Sequence, residues 1–228
     1  MDVIGNLNRL EEHIAVAARR AGRNPGEIKL VAVTKTVPVE IIREALACGA
    51  NRLGENRVQE FLSKYQKLPP SVEWHMIGHL QTNKVNKIIG KVNLIHSLDR
   101  WALAEELHQA ATEVGKVVKV LVQVNVAGEK SKYGLAPSET VDFITSTADL
   151  AGLSVEGLMT IAPWSANPEE VRPVFRQLKE IARKVEDKVT GSRMDYLSMG
   201  MSGDWEVAVE EGANILRIGT AIFGERDR

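Results

Sequence analysis

"KLVAVTKTVPVEIIREALACGANRLGEN", residues 29–56, sets a strand, a helix and a second strand in one short stretch. Leu30–Val33 is an unbroken run of apolar side chains, rich in β-branched residues, and reads with Lys29 and Thr34 as a buried strand. Pro38 presets the backbone for a helix through "VEIIREALACG", and Gly49 supplies a left-handed stop. "NRLGEN" follows as a short strand. Strands joined by a helical crossover lie parallel, so this unit points to an α/β fold.

The same alternation continues in both directions. A helix about Arg57–Gln66 precedes a third strand, "VEWHMIG", and Thr82 is placed to cap the helix "NKVNKIIG". "VNLIHSL" is the fourth strand, with Asp99 as the expected cap of a helix reaching Val114. "VVKVLVQVNV" is the fifth, and Pro137 and Ser138 open the next helix. "LSVEGLMTIA" is the sixth; Asn167 and Pro168 then start a helix whose Val171, Val174, Phe175, Leu178, Ile181 and Ala182 keep a 3.6-residue period. "DYLSMGMS", the short helix "DWEVAVEEG" and a final strand "NILRIGTAIFG" complete the pattern.

Upstream, Ile4, Leu7, Ile14 and Ala18 give the N-terminal segment an amphipathic helix. Eight βα units without a linker or break in composition predict a single (βα)8 TIM barrel spanning residues 1–228 with an N-terminal helix. A doubly wound open sheet is the alternative.

Composition narrows the partners. The 29 basic and 30 acidic residues leave a net charge of -1, with no general attraction to nucleic acid or anionic lipid. No run of apolar residues is long enough to span a membrane, and Asp2, Glu11 and Glu12 rule out a signal peptide in the first helix. Cys48 has no intramolecular partner and is expected to pack against the barrel, as in a reducing compartment. A soluble, cytoplasmic protein is expected.

In such a barrel the active face is built from the C-terminal ends of the strands. Those ends carry Lys35; Glu55 and Asn56; His79, Gln81 and Asn83; Met159 and Thr160; "SMGMSGD" at 198–204; and Arg217, Gly219 and Thr220. "SMGMSG" offers the hydroxyls of Ser198 and Ser202 beside two glycines, and Gly219 and Thr220 add backbone N–H groups, a set suited to a phosphate. Turns and close packing would account for the glycines equally well. Arg217 lies in an otherwise apolar strand, so it must meet a carboxylate such as Glu55 or Glu210, a ligand, or solvent at the rim. Lys35 is a candidate Schiff-base nucleophile, provided burial lowers its pKa. Together these groups suit a phosphorylated aldehyde held at both ends. His75, His79 and His96 lack metal-ligand spacing and read as satisfied core or rim histidines.

Ordered blocks over essentially the whole chain carry a resemblance: "LVAVTKT", "GENRVQE", "WHMIGHLQTNK", "LIHSLD", "QVNVAGEKSKYG", "GLMTIAP" and "LSMGMSGDWEVAVEEGANILRIGTAIFG". The sequence resembles the pyridoxal phosphate homeostasis proteins, which look like the N-terminal barrel of alanine racemase standing alone. Met76 departs slightly, where an aromatic residue is expected. The resemblance implies that Lys35 holds pyridoxal 5'-phosphate (PLP) as a Schiff base. It also implies that Ser202, Gly219 and Thr220 bind the phosphate with Ser198 and Met199 close by, that Arg217 faces the pyridine nitrogen, that Asn56 lines the ring, and that Met159 is a contact.

Racemisation needs an acid–base group on each face of the substrate carbon. In alanine racemase the second is a tyrosine from another domain, for which this chain leaves no room; Tyr65, Tyr133 and Tyr196 lack that context, although Tyr133 in "GEKSKYG" could approach the rim. The expected function is therefore binding, buffering or delivery of PLP in vitamin B6 and amino-acid homeostasis, without robust catalysis. An amino-acid racemase and a Schiff-base aldolase are the alternatives. Apo PLP-dependent enzymes or a regulatory protein are possible partners, Lys130 or Lys132 could take part in transfer, and a monomer is expected.

Overall fold

The computed structural model describes residues 2–129, 131–190 and 192–225; Lys130 lies outside them. Helix α1 (Val3–Arg20) buries Val3, Leu7, Leu10, Ile14, Ala17 and Ala18 on one stripe, and Asp2 caps it by accepting from the Gly5 N–H at 2.8 Å. Ile4, read from the sequence as part of that stripe, lies exposed, with Val3 in its place.

The barrel then runs β1 (Lys29–Val33), α2 (Val39–Ala47), β2 (Arg52–Glu55), α3 (Val58–Tyr65), β3 (Glu73–Met76), α4 (Val85–Ile88) and β4 (Leu94–Leu98). It continues through α5 (Trp101–Glu113), β5 (Val118–Gln123), α6 (Thr140–Thr147), β6 (Leu153–Met159) and α7 (Arg172–Lys188). The last elements are β7 (Tyr196–Ser198), α8 (Trp205–Glu210), β8 (Ile215–Ile218) and α9 (Thr220–Phe223).

All neighbouring strands pair in parallel, and β1 pairs with β8 from Lys29↔Ile215 to Ala32↔Ile218. That ladder closes the barrel and excludes the open sheet. Outward-facing residues such as Ala32, Leu53, Trp74 and Ile95 join the helices in the main core, while Val31, Leu94, Leu121, Met159 and Ile215 pack separately inside the barrel.

Several local expectations need correction. Asp99 does not cap α5; its carboxylate binds the Arg100 guanidinium at 2.6 Å, and Arg100 stands at the cap position. Thr82 is the first residue of a 3-10 turn that Gln81 precedes, and α6 starts at Thr140 rather than at Pro137. Strands five and seven are shorter than read. The eighth stops at Ile218, because Thr220–Phe223 coils into α9, with the Phe223 N–H donating to the Gly219 carbonyl at 2.9 Å.

Candidate functional site

Lys35 follows β1 in a tight turn on the C-terminal rim and is exposed, so reach rather than burial fits it for contact with a ligand. Its neighbours are pinned from behind. The Thr34 hydroxyl donates to Glu55 Oε1 at 2.6 Å. Lys64, buried on α3, donates to the Thr34 carbonyl at 2.7 Å, to Glu55 at 2.8 Å and to Glu60 at 2.7 Å. The Thr36 N–H donates to Glu60, and Thr36 itself sits at φ 62°, a left-handed conformation strained for a β-branched residue. Burial pushes the Glu55 carboxyl above its ordinary pKa, opposed by the hydrogen bonds from Lys64 and Thr34. Its Oε2 has no hydrogen-bond partner among the described residues.

Arg217 is buried in β8 and lacks a salt-bridge carboxylate among the described residues. The two expected candidates are engaged elsewhere: Glu55 with Lys64, and Glu210 with Arg20 and Arg172. Its guanidinium instead donates to Ser198 Oγ at 2.6 Å and to the Thr160 carbonyl at 2.8 Å. Burial lowers its pKa to about 10, with Asp204 opposing from a distance.

Ser198 is fully buried, and its hydroxyl also meets His96 Nδ1 at 2.9 Å; His96 Nε2 in turn meets His75 Nδ1 at 2.9 Å. Strands β4 and β7 are not neighbours, so this contact crosses the barrel interior. Burial is the main cause that holds His75 down to about 3 and His96 well below its ordinary pKa.

The loops after β7 and β8 come together at the rim. Gly200, at φ 94°, has no room for a side chain, since a Cβ would lie 2.7 Å from that of Ala208. The next turn closes as the Met201 N–H donates to Asp204 at 2.6 Å. Half-buried Ser202 accepts from the Ala221 N–H at 3.2 Å, bringing its hydroxyl beside Gly219 and exposed Thr220. Met159 packs inside the barrel, whereas Met199 joins the outer core and can offer the rim only its backbone.

Asn56, half-buried after β2, borders a recess of about 400 Å³ with Arg57, His79, Gln81 and Lys84. Over His79 the Tyr133 ring stacks at 3.9 Å between centroids. A larger cavity, about 480 Å³, lies at the opposite end near Glu156 and Arg193, so cavity size does not locate the rim chemistry.

The structure thus gathers the expected phosphate donors on one rim with Lys35, and places Arg217 inside. Lys64, Glu60 and the His75–His96–Ser198 contact were not foreseen as parts of this arrangement. For the histidines a signal exists: each stands at the inward parity of its strand, His75 between outward Trp74 and Met76 and His96 after outward Ile95.

A closed parallel barrel with its polar groups at the C-terminal rim defines the class, and comparison narrows it. The family model "Alanine racemase, N-terminal domain" matches residues 5–227. The chain is 49% identical over 227 residues to a protein of Aquifex aeolicus named "Pyridoxal phosphate homeostasis protein", covering 99% of each. It is 37% identical to the Escherichia coli K12 protein of that name, covering 99% of this chain and 97% of the other. The solved structure of PipY from Synechococcus elongatus with PLP bound is similar at TM-score 0.86 and 36% identity, covering 97% of this chain and all of that one. An alanine racemase of Clostridium difficile, 16% identical with TM-score 0.77, shares the fold; the match covers 100% of this chain and 57% of that one. The chain belongs to the pyridoxal phosphate homeostasis protein family, within the alanine racemase N-terminal-domain barrels.

Proposed function

We propose that this protein binds PLP at the C-terminal rim as a Schiff base on Lys35 and serves intracellular PLP and amino-acid homeostasis, without robust catalysis. The observation that carries the reading is Arg217: a buried guanidinium without a salt-bridge carboxylate among the described residues, below a rim of hydroxyl and backbone donors. The donor set suits the cofactor. Ser202, Gly219 and Thr220 would take the phosphate, Asn56 and Met159 the ring, and Arg217 its nitrogen. Ser198 would act through Arg217, because its hydroxyl is engaged inside the barrel, and Met199 through its main chain.

Bound PLP would supply an aldehyde to the lysine and an electron-withdrawing ring to any amine attached there. A permanently charged Arg217 facing that ring discourages protonation of its nitrogen, which weakens the electron sink and disfavours transamination. The racemase alternative keeps one supporting observation, the Tyr133 ring stacked on His79 at the rim. Transfer to apo-enzymes, with exposed Lys132 assisting, is part of the proposed role.

Purified protein supplied with PLP should be yellow, lose the colour in Lys35→Ala, and retain it covalently after borohydride. Colourless wild type that ignores added PLP would remove both readings. Chiral analysis of amino acids incubated with the loaded protein separates them, since multiple turnovers of inversion would establish the racemase.

A further inference from the structure

We infer that His75, His96 and Ser198 form a one-directional hydrogen-bond chain that positions Arg217 for the cofactor ring and ends as an N–H donor in the N-terminal mouth of the barrel. The cofactor half of this inference rests on the proposed PLP reading. The order of the chain rests on the protein alone.

A guanidinium can only donate. Arg217 Nη1 therefore uses a lone pair of Ser198 Oγ, at 2.6 Å. The serine proton needs an acceptor, and the described contact that offers one is His96 Nδ1, at 2.9 Å. The opposite order, with His96 Nδ1–H donating, would leave the Ser198 proton unpaired in a site of zero exposure, and an orphaned buried donor is costly. His96 Nδ1 thus carries the lone pair. A neutral imidazole has one N–H, so its proton is on Nε2 and donates to His75 Nδ1, at 2.9 Å. The same rule puts the His75 proton on Nε2.

His75 lines a recess of about 220 Å³ at the N-terminal mouth with Lys29, Arg52, Glu73, Lys119 and Tyr196. Both rings stay neutral, because burial and the nearby cations oppose a charge: Arg52 and Lys29 at His75, Arg217 at His96. The order therefore follows from two facts, a donor-only guanidinium at one end and neutral rings along the way.

The chain has a consequence for Arg217. With Ser198 aligned by His96, its lone pair is aimed at Nη1, while the Thr160 carbonyl holds Nη2. These two acceptors hold the guanidinium plane against rotation, although no carboxylate among the described residues anchors it. His75, His96 and Ser198 act as positioning residues and need not touch the cofactor.

The test is two-bond ¹H–¹⁵N spectroscopy of the histidine rings in cofactor-free protein at pH 7, followed by PLP titration. His75 and His96 should both be neutral with the proton on Nε2. Ser198→Ala should mix the tautomers of both rings and free the Arg217 guanidinium to rotate. It should also weaken PLP binding about tenfold, as expected for a lost hydrogen bond to a charged group. Ser198→Thr should restore all three. Leu121→Ala, which loosens the same interior without replacing a hydrogen-bonding member of the chain, should leave the tautomers unchanged. An Nδ1–H or an imidazolium on either ring in the wild type would overturn the inference, whether or not any variant folds. So would unchanged tautomers in Ser198→Ala. Wild type with the expected tautomers but no PLP uptake would uphold the order and reject only the cofactor role.

Discussion

Lys64 and Arg217 are both buried cations, one behind the barrel wall and one within it, and their surroundings differ in kind. Lys64 meets Glu55, Glu60 and the Thr34 carbonyl, so the chain neutralises it completely. Arg217 meets a hydroxyl and a carbonyl. Neutralised burial is structural: it locks the two residues flanking Lys35 against β2 and α3. Burial without a carboxylate partner costs stability that folding alone does not recover, and it is tolerable where a ligand completes the site.

The sharpest way to break this contrast is Lys64→Met. It leaves Glu55, fully buried with one oxygen already unpartnered, without its cation, and should cost about 3–5 kcal/mol. The midpoint of urea unfolding measures it. Adding Glu55→Gln to Lys64→Met should recover part of the loss; a double variant no more stable than the single would show that Glu55 is not the destabilised group.

Acid should act next most strongly, through the interior chain. His75 falls from 6.5 to about 3 on folding and His96 falls in the same direction. Between about pH 3 and 6.5 the unfolded chain binds protons that the folded chain excludes, so stability is full above this window and declines as pH falls through it. Each histidine contributes up to about 1.4 kcal/mol per pH unit. Glu55 opposes this in part, because its raised pKa gives the folded state extra affinity for a proton. Unfolding midpoints at pH 7.5, 6 and 5 should fall steeply in the wild type and more gently in His75→Gln; parallel slopes would refute the assignment.

Arg217→Met sharpens the comparison from the other side. Losing a cation that has no carboxylate partner among the described residues relieves a desolvation cost, offset by leaving Ser198 Oγ and the Thr160 carbonyl short of a donor. The net change in stability should stay within about 1 kcal/mol, against several for Lys64→Met. PLP uptake should nevertheless be lost. A stability loss as large as that of Lys64→Met would mean that Arg217 is structural as well.

The barrel was legible because its cues are local: period-2 and period-3.6 runs alternate, and Pro38 and Gly49 punctuate them where the structure turns. The rim was legible for the same reason, since strand ends locate Lys35 and Ser202 once a barrel is assumed, whereas Arg217 lies within β8 and faces the interior. What escaped was set by tertiary contact. "TAIF" is a short apolar run that suits a strand as well as a helix, and it coils because the Gly219 and Thr220 carbonyls find donors three and four residues on. Lys64 looks like an ordinary solvated helix residue, and only the approach of Glu55 from another element makes it a buried one. The exposure of Lys35 was equally out of reach of the sequence, which left burial of that side chain as an open condition, and the rim leaves it exposed.

The smallest effect tests how the neutralised region serves the site. Thr36 holds φ 62°, a conformation costing a side-chain-bearing residue about 1–2 kcal/mol, and its N–H is held there by Glu60 of the Lys64 cluster. Its side chain is exposed, so Thr36→Gly removes little packing. Relief of strain should exceed the extra unfolded-state entropy of glycine, about 0.5–1 kcal/mol, and raise stability by somewhat less than 1 kcal/mol. The same change frees the backbone immediately after Lys35, so bound PLP should dissociate faster on dilution even as the protein becomes harder to unfold. Opposite movement of those two quantities would show that the cluster stores strain to hold the lysine in place. Movement in the same direction would mean that Thr36 is only a tolerated turn residue, and that the Lys64 cluster stabilises the fold without tuning the site.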